Sequence, residues 1–264
     1  TADFATECGS PAFAGRRPAY DAFVVSRLRK SGAIILGKTV TTELAFFGPG
    51  KTRNPHDPER TPGGSSSGSA AAVADFQVPL ALGTQTAGSI IRPASYCGSI
   101  GFTPTYGYLS RTGVLAQSAP LDTIGGYARS VDDIALLIDA MASGPEKPLS
   151  NSLRSVLSRP PRFAFVKTPG WKQADGAARA AFEAFAAGLS PSAEVVDTPL
   201  PADFDGSLRL QQIIQFSDIA RNYGPFVDAQ PELFSGKLKE IIAEGRTFSA
   251  AGYVAARAER EPLY

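Results

Sequence analysis

The sequence Thr61-Pro62-Gly63-Gly64-Ser65-Ser66-Ser67-Gly68-Ser69, followed by an alanine-rich run and then by Gly83-Thr84-Gln85-Thr86-Ala87-Gly88-Ser89, organises the rest of the chain. Both quoted stretches combine glycines with hydroxyl side chains. Between them, residues 68–76 predict a helix of small side chains that can pack close to a sheet, and residues 78–82 predict a short apolar strand. We therefore expect Ser89 in a loop just beyond a strand, where open α/β sheets usually place their sites.

The rest of the chain alternates between helical and strand-like patterns, which predicts an α/β fold. Residues 22–31 form an amphipathic pattern that Gly32 stops, and Ser130-Val131-Asp132-Asp133 is a capping box that opens a further helix. Prolines and serines between 143 and 161 indicate a connection. The remaining predicted elements are strands at 33–36, 162–166 and 193–196, a helix over 175–189, and helical stretches near 205–222, 231–245 and 249–262.

Composition excludes several classes of protein. The chain has 264 residues, of which 43% are apolar, enough for a sizeable core. Its 26 basic and 25 acidic residues form no basic stripe, so we expect no nucleic-acid partner. No apolar run approaches the ~18–20 residues that span a bilayer, so we expect no membrane association. Cys8 and Cys97 lack metal-ligand spacing, and we predict free buried thiols in a reducing compartment.

Ser89 is the candidate nucleophile, and it needs a base. His56 is the only histidine; it lies in a proline-rich loop, and a Ser-His-Asp triad would rest on it. Alternatively, the Ser65 hydroxyl could relay a proton between Ser89 and a neutral lysine, since a hydroxyl both donates and accepts. The loop at 63–69 could instead be a flexible linker or a phosphate-binding helix start, although it lacks the Lys-Ser or Lys-Thr pair of a P-loop.

Several motifs in the same order resemble the amidase signature family. The match covers about residues 1–142. It comprises the two opening stretches, with the first extending to Ala74 and the second to Ile90, together with Pro93-Ala94-Ser95-Tyr96-Cys97-Gly98, Gly32-Ala33-Ile34-Ile35-Leu36-Gly37-Lys38-Thr39, Thr103-Pro104-Thr105-Tyr106-Gly107 and Leu121-Asp122-Thr123-Ile124-Gly125.

The resemblance implies a mixed, twisted β-sheet covered by helices on both faces. It also implies a single amidase signature domain over 1–264, incomplete at both ends, with core motifs in 1–142 and a divergent substrate-side region in 143–264. The family uses a Ser-cisSer-Lys triad. By resemblance, Ser89 is the nucleophile, Ser65 is the bridging serine with a cis peptide bond, and Ser66 supports the network. The oxyanion hole is then formed by backbone N–H groups of Thr86, Ala87, Gly88 and Ser89.

Three features depart from the family pattern. The catalytic lysine of the family precedes the segment that matches residues 6–11, so the resemblance places it before residue 1; Lys38 and Lys51 do not replace it. Gln85 stands where many members have Asp, and we assign it a supporting or substrate-binding role. Arg92 follows Ser89 by three residues, whereas many members carry an arginine one position earlier. Arg92 could bind a substrate carboxylate or tie loops together through backbone carbonyls.

The function that the resemblance implies is hydrolysis of a linear carboxamide to a carboxylic acid and ammonia or amine through a serine acyl-enzyme. No metal or organic cofactor is implied. We expect a small-molecule amide substrate, a cytoplasmic location, and an assembly compatible with a homodimer. Two alternatives stay open: an amidotransferase subunit that releases ammonia for a partner, and an inactive fragment that lacks the lysine. Asp122 is expected to be structural, and the helical spacing of Ile213, Phe216 and Tyr223 is more typical of a core than of a substrate pocket.

Overall fold

The computed structural model describes residues 1–142, 148–152, 159–189 and 191–263. Most of the connection predicted over 143–161 lies outside the described residues. The chain divides into two compact units. The first contains Thr1–Leu153 and Gln215–Ser249, and the second contains Arg154–Ile214 and Ala250–Tyr264.

In sequence order, the first unit contains helices α1 to α5 and strands β1 to β3. They are α1 (Phe23–Lys30), α2 (Ser67–Ala74), β1 (Ala81–Gln85), α3 (Ile91–Cys97), β2 (Ile100–Phe102), β3 (Thr123–Ala128), α4 (Val131–Met141) and α5 (Leu149–Ser152). The helices predicted over 22–31 and from Val131 onward are confirmed. Ser130 caps α4 by accepting a hydrogen bond from the Asp133 N–H at 3.1 Å, as its capping box predicts.

A three-stranded antiparallel sheet lies in the first unit, with β3 between β1 and β2. Every residue of β3 is buried. Gly125 permits this close pairing, because a Cβ at that position would lie 2.0 Å from the Phe102 carbonyl oxygen. Core side chains from α1, α4 and β3 pack together, among them Val24, Leu28, Ile124, Ile138 and Met141.

The strand predicted over 78–82 begins three residues later, at Ala81. Its register is fixed by β3, where Ala81 pairs with Tyr127 and Gln85 pairs with Thr123. The carbonyl of Val78 instead accepts a hydrogen bond from the Arg129 side chain at 2.9 Å. The apolar composition located the strand, but the partner strand decides which residues form the ladder.

The strand predicted over 33–36 is wrong for the described structure. These residues are in no strand, and Ile34 and Leu36 are 85% and 68% exposed. Only Ile35 packs against the core. A strand needs a neighbour to satisfy its backbone groups, and no described segment pairs with residues 33–36.

Helix α2 is buried from Ser67 to Val73 and has almost no side chain beyond Cβ over most of its length. At Gly68 the helix packs directly against the backbone of Val40, because a Cβ on Gly68 would lie 2.5 Å from the Val40 nitrogen. The predicted helix of small residues is confirmed, with its end at Ala74 instead of residue 76.

The second unit contains the predicted strand-helix-strand unit. It comprises β4 (Arg162–Phe165), α6 (Gly176–Leu189) and β5 (Glu194–Asp197), and β4 pairs with β5 in parallel. The carboxylate of Asp175 accepts a hydrogen bond from the Ala178 N–H at 2.7 Å, which confirms its predicted cap.

The last helical stretches are also confirmed, as α7 (Ser207–Ala229), α8 (Gly236–Gly245) and α9 (Ala250–Arg260). The part of α7 from Gln215 onward belongs to the first unit. There, Phe216 and Tyr223 join a buried apolar cluster with Leu44, Leu238 and Ile242, as expected of a core stripe. No helix in the described ranges is long and apolar enough to cross a membrane.

Both cysteines are free, as predicted; Cys97 is buried and Cys8 is half-buried. Burial raises the pKa of Cys97 to about 11, so its thiol is protonated at neutral pH.

Candidate active site

The two glycine- and serine-rich loops are bonded directly to each other. The Ser66 N–H donates to the Ser89 carbonyl at 3.3 Å. The Ser66 hydroxyl also accepts from the Thr84 N–H at 3.2 Å and lies 3.3 Å from the Thr84 carbonyl. Ser66 therefore holds the first loop against both β1 and the residue predicted to be the nucleophile.

Ser65 lies at the centre of this junction. Its residue is 2% exposed, and its hydroxyl has no hydrogen-bond partner among the described residues. The Gly64–Ser65 peptide bond is cis. The Ser65 carbonyl accepts from the Thr42 N–H at 3.0 Å and from the Thr41 hydroxyl at 3.2 Å. The backbone of Ser65 is thus fixed while its buried hydroxyl has hydrogen-bonding capacity to spare.

Ser89 lies in the loop between β1 and α3, as its sequence context predicts, and is 8% exposed. Its carbonyl accepts a second hydrogen bond, from the Tyr127 hydroxyl at 3.2 Å. Gln85 supports the same loop through backbone contacts. Its side-chain oxygen accepts from the N–H groups of Ile90 at 2.9 Å and Ile91 at 3.1 Å.

The segment from Thr86 to Ser89 presents backbone donors. Within the described ranges, the N–H groups of Ala87, Gly88 and Ser89 donate to no protein atom. The Thr86 hydroxyl donates to the Asp122 carboxylate at 2.7 Å, which anchors the start of the segment. Free N–H groups next to a serine are what a developing oxyanion requires.

Asp122 has the structural contacts that the sequence predicts. Its carboxylate is 7% exposed and also accepts hydrogen bonds from the N–H groups of Gln117 and Ser118. Burial raises the pKa of Asp122 above its usual range, although these hydrogen bonds and Arg111 oppose the rise. The donors offset part of the free-energy cost of placing the carboxylate inside the protein.

Arg92 ties the two loops together. Its Nε donates to the Gly64 carbonyl at 3.0 Å, and Nη1 lies 3.8 Å from where a Cβ on Gly88 would be. The side chain is exposed. The contact through a backbone carbonyl matches one of the two roles considered for Arg92, and the outer guanidinium nitrogens lie beside the loop of Ser89.

The other candidate bases are placed differently. The His56 Nε2 lies 2.8 Å from the Cys97 carbonyl, so its ring is engaged with backbone instead of Ser89. Lys38 is exposed. The protein around its ammonium partly desolvates it and lowers its pKa, while Cys8 raises it. No described hydrogen bond joins Lys38 or Lys51 to Ser65, whose hydroxyl is unpartnered.

Tyr127 is a site residue that sequence reasoning missed. It lies on β3, is 0% exposed, and reaches the Ser89 carbonyl from a strand about forty residues further along the chain. The sequence predicts no strand over residues 123–128, so no sequence signal placed Tyr127 at this site, and the structure adds both the strand and the contact.

A sequence profile of the Amidase family matches residues 1–253. Among curated relatives, the chain is 39% identical over 241 residues to a subunit of the glutamyl-tRNA(Gln) amidotransferase of Cutibacterium acnes, and the match covers 84% of this chain and 48% of that protein. It is 49% identical over 166 residues to the corresponding subunit from Thermus thermophilus, covering 60% of this chain and 34% of the relative. The chain thus spans half or less of these relatives' length.

Solved structures show the same fold. A crystal structure described as an amidase superposes with a TM-score of 0.89 and 32% identity, covering all of this chain and 60% of the other. A peptide amidase in complex with chymostatin gives a TM-score of 0.81 at 30% identity, covering 100% and 63% of the two chains. The family profile over residues 1–253 and these matches establish that the chain belongs to the amidase signature family.

Proposed function

We propose that the complete protein is an amidase that hydrolyses a linear carboxamide through an acyl-enzyme on Ser89. The observation that carries the proposal is the buried, unpartnered hydroxyl of Ser65, on the residue next to the one bonded to Ser89. A buried hydroxyl without a partner costs free energy and calls for an explanation, and the Ser65 hydroxyl lies on the residue adjacent to the junction with Ser89. A proton relay between the nucleophile and a base would use that free capacity.

The proposed chemistry proceeds in two halves. The Ser89 oxygen attacks the amide carbon, and its proton passes through Ser65 to a lysine that the resemblance places before Thr1. The carbonyl oxygen becomes an oxyanion that accepts hydrogen bonds from the free N–H groups of residues 87–89. The C–N bond then breaks, the nitrogen leaves with the relayed proton, and water releases the carboxylic acid from Ser89.

A fluorophosphonate probe that reacts with activated serines tests this proposal on the complete protein. We expect covalent labelling of Ser89, and a loss of at least about a thousandfold in amide hydrolysis for Ser89→Ala. Ser65→Ala should slow labelling by about a hundredfold or more, because the relay is removed. Ser95→Ala, an exposed serine on α3, is the matched control and should behave as wild type. Full activity in Ser89→Ala would contradict the proposal.

We also propose that Arg92 sets a preference for amides that carry a second carboxylate. Its guanidinium is exposed beside Gly88, and guanidinium groups bind carboxylates with paired hydrogen bonds. In a screen of paired amides with and without a distal carboxylate, Arg92→Gln should raise KM selectively for the carboxylate-bearing set. An equal loss for both sets would assign Arg92 only to holding the Gly64 carbonyl.

A second candidate function comes from the names of the curated relatives, which are subunits of glutamyl-tRNA(Gln) amidotransferases. In this alternative the same serine chemistry would release ammonia for a partner protein, with a tRNA as the final substrate. Copurification of partner proteins from the native source, with ammonia release that depends on them, would support it. Robust amide hydrolysis by the protein alone would favour the amidase.

A third possibility is an inactive form that acts only by binding. The sequence of the complete gene product upstream of the segment that matches residues 6–11 decides it. A lysine there in an apolar context supports catalysis, and the absence of such a lysine together with unlabelled Ser89 would support the inactive form.

A further inference from the structure

We propose that Asp218, on helix α7, is a positioning residue for the oxyanion segment, acting through Ser118 and Asp122 on Thr86. The inference rests on the proposed function, because it assigns Asp218 a part in shaping the segment that precedes Ser89. It follows from a continuous series of hydrogen bonds between buried or half-buried polar groups of the first unit.

The series begins at the active-site loop. The Thr86 hydroxyl donates to Asp122 Oδ1 at 2.7 Å. Thr86 directly precedes the residues whose N–H groups are free, so the position of its side chain constrains the direction of those groups. Fixed donor geometry matters for oxyanion stabilisation, because donors that must reorganise contribute less.

Asp122 is in turn held by the loop that contains it. Its Oδ2 accepts from the Gln117 N–H at 2.9 Å and from the Ser118 N–H at 3.0 Å, and Oδ1 lies 3.1 Å from the same Ser118 N–H. The carboxylate is thereby bound to a short backbone segment whose own position has to be fixed. Neither donor lies on a helix or strand.

Helix α7 supplies that fixation. The Ser118 hydroxyl donates to Asp218 Oδ2 at 2.7 Å, and the two residues are 0% and 3% exposed. A buried carboxylate is costly unless it is hydrogen-bonded, so its presence at this point needs a compensating role. The bond to Ser118 places that carboxylate directly on the loop that holds Asp122.

Two further residues of α7 hold the same loop. The Gln215 side-chain nitrogen donates to the Gln117 side-chain oxygen, and the Asn222 side chain donates to the Gln117 carbonyl at 3.1 Å. Residues 215, 218 and 222 are three and four positions apart, so they lie on one face of the helix. The adjacent stripe, with Phe216, Ile219 and Tyr223, is apolar and joins the core cluster.

This division of α7 separates two tasks. The apolar stripe secures the helix to the core, and the polar stripe transfers that rigidity to residues 117–118 and from there to Asp122 and Thr86. Fully hydrogen-bonded buried networks fix one arrangement of the groups they join, because any displacement leaves a buried polar group unpaired.

The test measures fluorophosphonate labelling of Ser89 and steady-state amide hydrolysis in the complete protein, for Asp218→Ala and Asp218→Asn. We expect Asp218→Ala to lower the labelling rate and kcat by about tenfold, with KM within about twofold, since the oxyanion exists only in the transition state. Asp218→Asn keeps an acceptor oxygen for Ser118 and should restore the rate to within about threefold of wild type. Asp228→Asn is the matched control on α7; it is exposed, pairs with Arg246, and should change neither rate.

If Asp218 served only folding, its substitution would shift the unfolding curve but leave the labelling rate and kcat of the folded variant unchanged. Rates are therefore measured at a temperature where the unfolding curve of each variant shows it folded. If Asp218→Ala does not fold, Ser118→Ala removes the same hydrogen bond by deleting only the Ser118 hydroxyl oxygen, and the same loss of labelling rate and kcat is expected. A double-mutant cycle with Thr86→Val gives a second readout: losses through one shared path should be clearly less than multiplicative.

The inference is overturned if folded Asp218→Ala, or folded Ser118→Ala in its place, labels and turns over at the wild-type rate. Multiplicative losses with Thr86→Val would also overturn it. Either outcome leaves the proposed function intact, because that function fails only if Ser89 is unlabelled or Ser89→Ala retains activity.

Discussion

Two buried tyrosines of the first unit should differ in how protein stability changes when their hydroxyls are removed. Tyr127 and Tyr223 are 0% and 2% exposed. The Tyr127 hydroxyl donates to the Ser89 carbonyl at 3.2 Å, whereas the Tyr223 hydroxyl has no partner among the described residues. Burial raises the pKa of both phenols, so both are neutral over the whole range of a stability assay.

The size of each effect follows from these contacts. Tyr127→Phe removes one hydrogen bond while the Ser89 carbonyl keeps its bond from the Ser66 N–H at 3.3 Å. The loss should be about 1 kcal/mol, the net worth of a typical hydrogen bond, or a drop of about 2–4 °C in Tm. Tyr223→Phe removes a buried hydroxyl that has no partner. It should be neutral or stabilise the protein by up to about 1 kcal/mol, because the desolvation cost of that hydroxyl disappears.

Chemical and thermal unfolding of the two variants, followed by circular dichroism, measures both values under identical conditions. Each substitution deletes the same single atom from a buried ring, so the change in packing is matched. Equal destabilisation by the two variants, or a larger loss for Tyr223→Phe, would refute the assignment of a structural hydrogen bond to Tyr127 alone.

Two further predictions concern packing and pH. Gly68→Ala should destabilise the protein by about 1–3 kcal/mol in urea unfolding, because its Cβ would lie 2.5 Å from the Val40 nitrogen. Gly188→Ala in α6 meets no atom within 4 Å and should instead stabilise by about 0.5–1 kcal/mol; the same sign for both would contradict the packing. Burial alone would raise the pKa of Asp139, but hydrogen bonds from Ser150 and Leu149 outweigh it and hold that pKa below its usual value. The native state then binds fewer protons than the unfolded state, so Asp139 contributes stability above about pH 4 and loses it as the pH falls further. Urea midpoints from about pH 3 to 7 should show that Asp139→Asn loses stability at the upper end and approaches wild type at the lower end, and a constant difference would contradict this.

The sequence located most of the elements because their signals are local. The capping box at Ser130, the acidic cap at Asp175 and the small-residue helix before Asp75 depend on neighbours a few residues away, and all three are present. The order of the glycine- and serine-rich motifs also carried the resemblance to the amidase signature family. The loop position of Ser89 after a strand followed from the same local pattern.

Strands that depend on partners distant in the sequence could not be predicted from local signals. The apolar run at 33–36 has the composition of a buried strand, but composition does not supply a pairing neighbour, and Ile34 and Leu36 are exposed. The strand predicted over 78–82 begins three residues too early for the same reason. The bounds of β1 are set by its hydrogen bonds to β3. Local pattern specifies which residues favour a strand, whereas the ladder is a property of two segments.

The sequence by itself determined the chemistry available at the candidate site: two serines, a run of small residues and an arginine three positions beyond Ser89. Only the tertiary structure decided how these groups meet. It joined Ser66 to Ser89 by a hydrogen bond, placed Arg92 against the Gly64 carbonyl, and brought Tyr127 to the loop of Ser89 and Asp218 to Ser118. The physical reason is that a hydrogen bond requires atoms within about 3 Å. These contacts join residues 23 to 100 positions apart, and they are set by the packing of whole elements, which leaves little local trace in the chain.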